Sequence, residues 1–221
     1  RKRFPGATYH VTNRGNGRQK VFYAADDRER FIEQLRHALD ADSVILYAYC
    51  LMPNHFHLLV ETPDANIDHF MGRLQTAYAM YFRYKHYRPG HCFQSRYKAP
   101  LVSGDDYLLR LTRYIHLNPV KVRAAEQWSA QEKWQRLLTE RWSSLGGYLN
   151  VDHTEDFVDY RWLGIVNSRS QRLACREYAR YMRMMLDADQ DDVLSEAMAA
   201  SSYAVGDEQF REEVEDWVRD E

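Results

Sequence analysis

Near the start of the chain Thr8-Tyr9-His10-Val11-Thr12 alternates in a β-branched and aromatic context and stops at Arg14-Gly15-Asn16-Gly17, whose glycines and Asn suit a turn. This predicts a first strand. From Asp26 the period changes, with Arg28, Ile32, Leu35 and Leu39 on one side. Asp26 and Asp27 put negative charge where the helix dipole favours it, so a helix is expected to about Asp42. Val44 to Met52 and His55 to Thr62 are strand-like runs separated by Pro53-Asn54, and a hairpin is the economical reading. Ile67, Phe70, Met71, Leu74, Tyr78 and Phe82 recur at steps of three and four, predicting a long helix to about Tyr87 that Pro89-Gly90 ends. Cys92 to Val102 is expected as a fourth strand, with Pro100 placing it at an edge. A third helix opens at Gly104-Asp105-Asp106 and reaches the neighbourhood of Asn118, because Pro119 disfavours helical geometry in the residue before it.

The order β-α-β-β-α-β-α predicts an α+β fold: an antiparallel sheet with split βαβ, ferredoxin-like topology and packed helices. After Trp128 the composition shifts, and Ser170 to Leu186 and Asp207 to Val218 look like amphipathic helices. Two units are therefore expected, 1–128 carrying the chemistry and 129–221 forming an acidic, mainly helical extension that regulates or docks.

Charge sharpens this division. The net of −2 conceals 19 basic and 12 acidic side chains in 1–128 and 11 and 20 in 129–221, so the front half is at +7 and the rest at −9. A basic front half points to a polyanionic partner. With 221 residues, 45% of them hydrophobic, the chain has enough apolar surface for a core, which excludes a disordered or collagen-like chain. Cys50, Cys92 and Cys175 are far apart and form no CxxC pair, which argues against a disulfide framework or zinc ribbon. No apolar run approaches the ~20 residues of a membrane span. Arg1-Lys2-Arg3-Phe4-Pro5 lacks a signal peptide's apolar stretch, and a cytoplasmic protein without membrane contact is expected.

His55 and His57 are two apart in a predicted strand, so both imidazoles share a face and offer half of a metal site; the same pattern suits two ordinary histidines. On the third helix Leu108, Leu111 and Ile115 fall within about 60° of one another as a buried stripe. Tyr107, Tyr114 and Asn118 fall within about 40° on its flank, and His116 lies about 160° from Tyr114. Tyr114 there suits either a packing role or a hydroxyl facing the histidines, and Asn118 either a ligand or a helix terminator.

Four blocks, in order, resemble the HUH single-tyrosine transposases, with REP-associated tyrosine transposases as the closest branch. They are Tyr9 to Gly15 (YHVTNRG), Tyr49 to Leu59 (YCLMPNHFHLL), Phe93 to Lys98 (FQSRYK) and Arg113 to Val120 (RYIHLNPV). The resemblance covers about residues 4 to 128. It implies that His55 and His57 are metal ligands, that Tyr114 is the nucleophile, and that Asn118 stands where better-known relatives carry a glutamine as third ligand. It further implies a divalent cofactor, Mg²⁺ or Mn²⁺, and a single-stranded DNA endonuclease and strand transferase acting on hairpin-bearing repeats through a 5′-phosphotyrosine. Single-stranded DNA with a stem-loop is the implied partner, met by a monomer or homodimer in a bacterial, nucleoid-associated setting. Arg14, Arg96, Lys98, Arg113, Lys121 and Arg123 lie in or beside these blocks and are candidates for phosphate contacts, with Tyr97 or Phe93 stacking on bases and Arg1 to Arg3 as an arm. The alternative expectation is a catalytically silent single-strand-binding module on the same scaffold.

Overall fold

The structure is a computed structural model that describes residues 3–167, 169–186 and 192–219, so Arg1 and Lys2 of the expected arm lie outside the described residues. Its centre is a sheet of β1 (Ala7–Arg14), β2 (Ile45–Met52), β3 (His55–Thr62), β4 (Leu101–Val102) and β5 (Ala204–Val205), in the order β2-β3-β1-β4-β5. The expected hairpin is β2 and β3, turned by Pro53-Asn54, and β1 pairs antiparallel with β3 from Ala7 opposite Thr62 to Arg14 opposite His55. The α+β fold with a helical C-terminal extension is thus as expected.

Strand alternation sends two sets of side chains to opposite faces. Tyr9, Val11, Phe56, Leu58 and Val60 join Phe31 and Leu35 of α1 (Ala25–Asp42) and Phe70, Leu74 and Tyr78 of α2 (Ile67–His86) in one core. Tyr47, Ala48, Cys50, Met52 and Leu59 face Leu108, Leu111 and Ile115 of α3 (Asp105–Leu117), with Leu194 and Ala197 of α8 beyond them; α8 spans Asp192–Ala200. Neighbours Tyr47 and Ala48 share this core because the β2 register slips between Leu46 and Ala48, a bulge that an alternating pattern does not reveal. Leu111 and Ile115 are fully buried, each contributing about 1.5–3 kcal/mol by removal from water.

The fourth strand is much shorter than expected. Only Leu101–Val102 is strand, preceded by single bridges of Phe93 to Gly15 and Lys98 to Thr12. Pro100 has no N–H to extend the ladder, although its carbonyl accepts from His10 N–H at 3.0 Å. β5, unexpected from the sequence, runs parallel to β4.

The extension supplies α4 (Ala130–Leu138), α5 (Leu145–Leu149), α6 (Leu163–Val166), α7 (Gln171–Met184), α8 and α9 (Glu208–Arg219). Leu117 and Val120, just past the middle of the chain, are buried with Trp134, Leu137, Tyr148, Tyr178 and Met182. His116 ties these parts together: its Nδ1 lies 2.7 Å from the Tyr178 hydroxyl and its Nε2 2.8 Å from Ser144 Oγ. Among the described residues no helix is long and apolar enough to cross a membrane.

Candidate active site

Period two puts His55, His57 and Leu59 on the α3 side of β3, and antiparallel pairing sets His10 and Thr12 of β1 beside them. Glycine at position 104, with φ 90°, starts α3, and Asp105 and Asp106 occupy its first turn. Three turns on, the half-buried Tyr114 ring lies 5.8 Å from the His57 ring and 6.1 Å from His10, close to perpendicular to both. The rings of His55 and His57 are 5.0 Å apart.

Asn118 ends α3 with its amide turned back, Nδ2 donating to the Tyr114 carbonyl at 2.9 Å and the Ile115 carbonyl at 3.3 Å. Pro119 has no N–H to offer the Ile115 carbonyl, which accepts from the Asn118 backbone N–H as well. With the NH₂ so occupied, the amide oxygen is left facing the imidazoles, near enough to favour the protonated forms of both His55 and His57 while making no hydrogen bond to His57 Nε2. Burial opposes this and dominates, holding His55 below the usual histidine range and His57 well below it. Both rings are thereby kept neutral, the state in which a nitrogen lone pair can bind a cation.

The second nitrogens are also assigned partners. His55 Nδ1 is 2.7 Å from Asn54 Oδ1, which can only accept, so the His55 proton sits on Nδ1 and Nε2 carries the lone pair. His57 Nδ1 is 3.0 Å from His10 Nε2, the two ring planes within 12° of parallel. His57 Nε2 is buried without a hydrogen-bond partner. An orphaned buried nitrogen beside a second imidazole and an amide oxygen fits a divalent cation. Among the described residues no three His, Cys, Asp or Glu side chains gather to hold a metal, so the donor set here is two imidazoles and an amide.

The cations expected from sequence divide. Arg14, Arg96, Lys98, Lys121 and Arg123 are exposed. Arg14 reaches Gln94 Oε1 at 3.2 Å, and Lys121 Nζ lies 4.7 Å from the Tyr114 ring centroid. Arg113 does not belong with them: it is 3% exposed, its guanidinium 4.1 Å from the Tyr181 ring centroid under α7. Tyr107 packs against the α3 core, and Tyr97 is buried with its hydroxyl on Asp68. Phe93 is part-buried with its ring against Phe56 and Tyr78. Burial raises Tyr114 above the ordinary phenol range. His10 and Asn54 went unrecognised in the sequence, where His10 was one member of an alternating strand and Asn54 a turn residue.

A sequence model of the family described as IS200-like transposases matches residues 4–118. None of the curated proteins matches. Among solved structures, a REP-associated tyrosine transposase bound to a REP hairpin is similar in fold, with a TM-score of 0.54 at 16% identity over 72% of this chain and 92% of that one. A candidate transposase from Deinococcus radiodurans R1 is 22% identical over 52% of this chain and 92% of its own, at a TM-score of 0.39 too low to inform on fold.

Proposed function

The chain belongs to the IS200-like transposase family, and from that premise we propose that it cleaves single-stranded DNA beside a hairpin and transfers the strand through a covalent bond to Tyr114. The observation that carries this reading is the Tyr114 ring set 5.8 Å from the ring of His57, whose Nε2 is unpartnered, with His55 and the Asn118 amide beside that imidazole.

In the proposed reaction the Tyr114 oxygen attacks the scissile phosphorus in line with the 3′-oxygen of the upstream nucleotide. The new P–O bond to tyrosine forms as the P–O3′ bond breaks. The phenol proton is lost, and the departing 3′-oxygen gains one. The product is a 5′-phosphotyrosine with a free 3′-hydroxyl, and a later attack by another 3′-hydroxyl reverses the step. Burial keeps the phenol protonated at neutral pH, so the attack needs local positive charge; the Lys121 ammonium over the ring supplies part of it. Mg²⁺ or Mn²⁺ bound to His55, His57 and Asn118 would polarise the phosphate and offset its developing charge.

Exposed Arg14, Arg96, Lys98, Lys121 and Arg123 give the phosphate backbone its counter-charge. A paired duplex resists the bend needed to present one phosphate to Tyr114, whereas an unpaired flank does not. The solved relative in complex with a REP hairpin supports a stem-loop as the attached element. The test uses oligonucleotides with a stem-loop and single-stranded flanks, labelled at each end in turn. Protein is expected on the 5′ end of the downstream product, and Tyr114→Phe should abolish cleavage while retaining binding. Binding by the wild-type protein without cleavage in either metal would leave a silent module instead.

A further inference from the structure

We propose that residues 198–218 form a nucleobase-binding wall of the active site, seating the base next to the scissile phosphate against Tyr203; this rests on the function proposed above. Two of the proposed catalytic side chains, His57 and Tyr114, open into a cavity of about 530 Å³, within the range of about 300–1,000 Å³ typical of small-molecule sites. His57 and Tyr114 line one side of it. Further lining comes from the distant end of the chain, through Met198, Ser202, Tyr203 and Val214.

This wall is held in place by the sheet. Leu101 N–H donates to the Tyr203 carbonyl at 2.7 Å and Ser103 N–H to the Val205 carbonyl at 3.1 Å. Tyr203 N–H donates to Ser201 Oγ at 3.1 Å, and Val214 of α9 is 1% exposed in the main core. On this fixed support Tyr203 remains 51% exposed.

The chemistry of the cavity fits a nucleobase attached to a phosphodiester. Although the second part of the chain is strongly acidic, Met198 to Val205 (MAASSYAV) carries no charge. Among the described residues no carboxylate lines the cavity, and its charged side chains other than histidine are Arg96 and Lys98. A flat, amphipathic ring can pack on Tyr203 and on aliphatic carbon while its phosphate meets the two cations and Tyr114. Stacking on an aromatic side chain accepts any base, so selectivity would come from the hydroxyls of Ser201 and Ser202.

The experiment places 2-aminopurine at each position flanking the cut in a stem-loop oligonucleotide. Binding is read by fluorescence in full-length Tyr114→Phe protein, and cleavage kinetics in protein with native Tyr114. One flanking position should be quenched on binding. Adding Tyr203→Ala should remove that quench, and Tyr203→Phe, which keeps the ring, should restore most of it. For cleavage, Tyr203→Ala should raise KM roughly tenfold, within the range expected for a lost stacking contact, with the loss on KM rather than kcat. No quench at any flanking position, or a Tyr203→Ala protein with unchanged KM and base preference, would overturn the wall while wild-type cleavage persisted. Failure of the wild-type protein to cleave any such oligonucleotide would instead remove the function on which the wall rests.

Discussion

Replacing His10 by phenylalanine isolates one hydrogen bond in the proposed metal site. His10 and His57 are both buried, their ring centroids 5.2 Å apart, with His57 Nδ1 3.0 Å from His10 Nε2. For His57 Nε2 to offer a lone pair, Nδ1 must carry the proton and donate it to His10, whose own proton then sits on Nδ1. Phenylalanine keeps a ring against His57 but removes the acceptor, leaving a buried N–H unsatisfied at a cost of about 1–3 kcal/mol. Part of that cost is relieved if the proton moves to Nε2, the tautomer that cannot bind a cation. Loss of such an orienting partner typically weakens metal affinity about 10- to 100-fold. Mn²⁺ affinity, followed by the EPR signal of the free ion, should therefore fall by that factor in His10→Phe, and His10→Asn should recover part of it. Nitrogen-15 NMR of the metal-free wild-type chain should show His57 protonated at Nδ1. A His57 protonated at Nε2, or Mn²⁺ affinity unchanged in a folded His10→Phe protein, would refute the reasoning.

His55→Ala should lower cleavage at least ~100-fold while changing stem-loop binding less than ~3-fold, and chelation by EDTA should reproduce it, because ligation by imidazole serves the chemical step; kinetics beside a binding titration would decide. Lys98→Ala should weaken DNA binding and reduce the slope of log affinity against log salt by about one, whereas Arg113→Ala should leave that slope unchanged and lower the melting temperature through lost packing on Tyr181. Acid should destabilise the fold through His116, which burial pushes down to about 3 from 6.5. The unfolded chain takes up a proton near 6.5 that the folded chain refuses until about 3. This contribution is therefore complete above the unfolded value and is lost as pH falls through that window, by about 3 kcal/mol at pH 4. Urea unfolding from pH 8 to pH 4 should show the decline and His116→Gln should flatten it; parallel curves for the two proteins would contradict the assignment.

The elements that frame the site were legible because each has a period. Alternation in His55 to Thr62 put both histidines on one face, and the three- and four-residue steps of α2 and α3 marked their buried stripes. Asn118 was readable only as a choice between terminator and ligand; the structure shows its NH₂ on the helix carbonyls and its oxygen toward the imidazoles. Arg113 misled because its burial depends on Tyr181, on a helix with no local signal in the 113–120 block. The fourth strand was overdrawn because a β-like composition in Cys92 to Val102 outweighed the missing N–H of Pro100. β5 is two residues long, too short for any periodicity, and its place beside β4 is set by tertiary pairing alone. His10 was hidden for a different reason: its significance lies in which nitrogen of His57 it contacts, and that follows from strand register.

The most direct test of the account is peptide mass spectrometry of the full chain after incubation with a stem-loop oligonucleotide and Mn²⁺, followed by nuclease and protease digestion. A nucleotide 5′-phosphate is predicted on the peptide that carries Tyr114, at Tyr114 itself, and absent when EDTA replaces the metal. Cleavage of the oligonucleotide with no covalent nucleotide on the protein, or with the nucleotide on Tyr107 or another residue, would contradict the account.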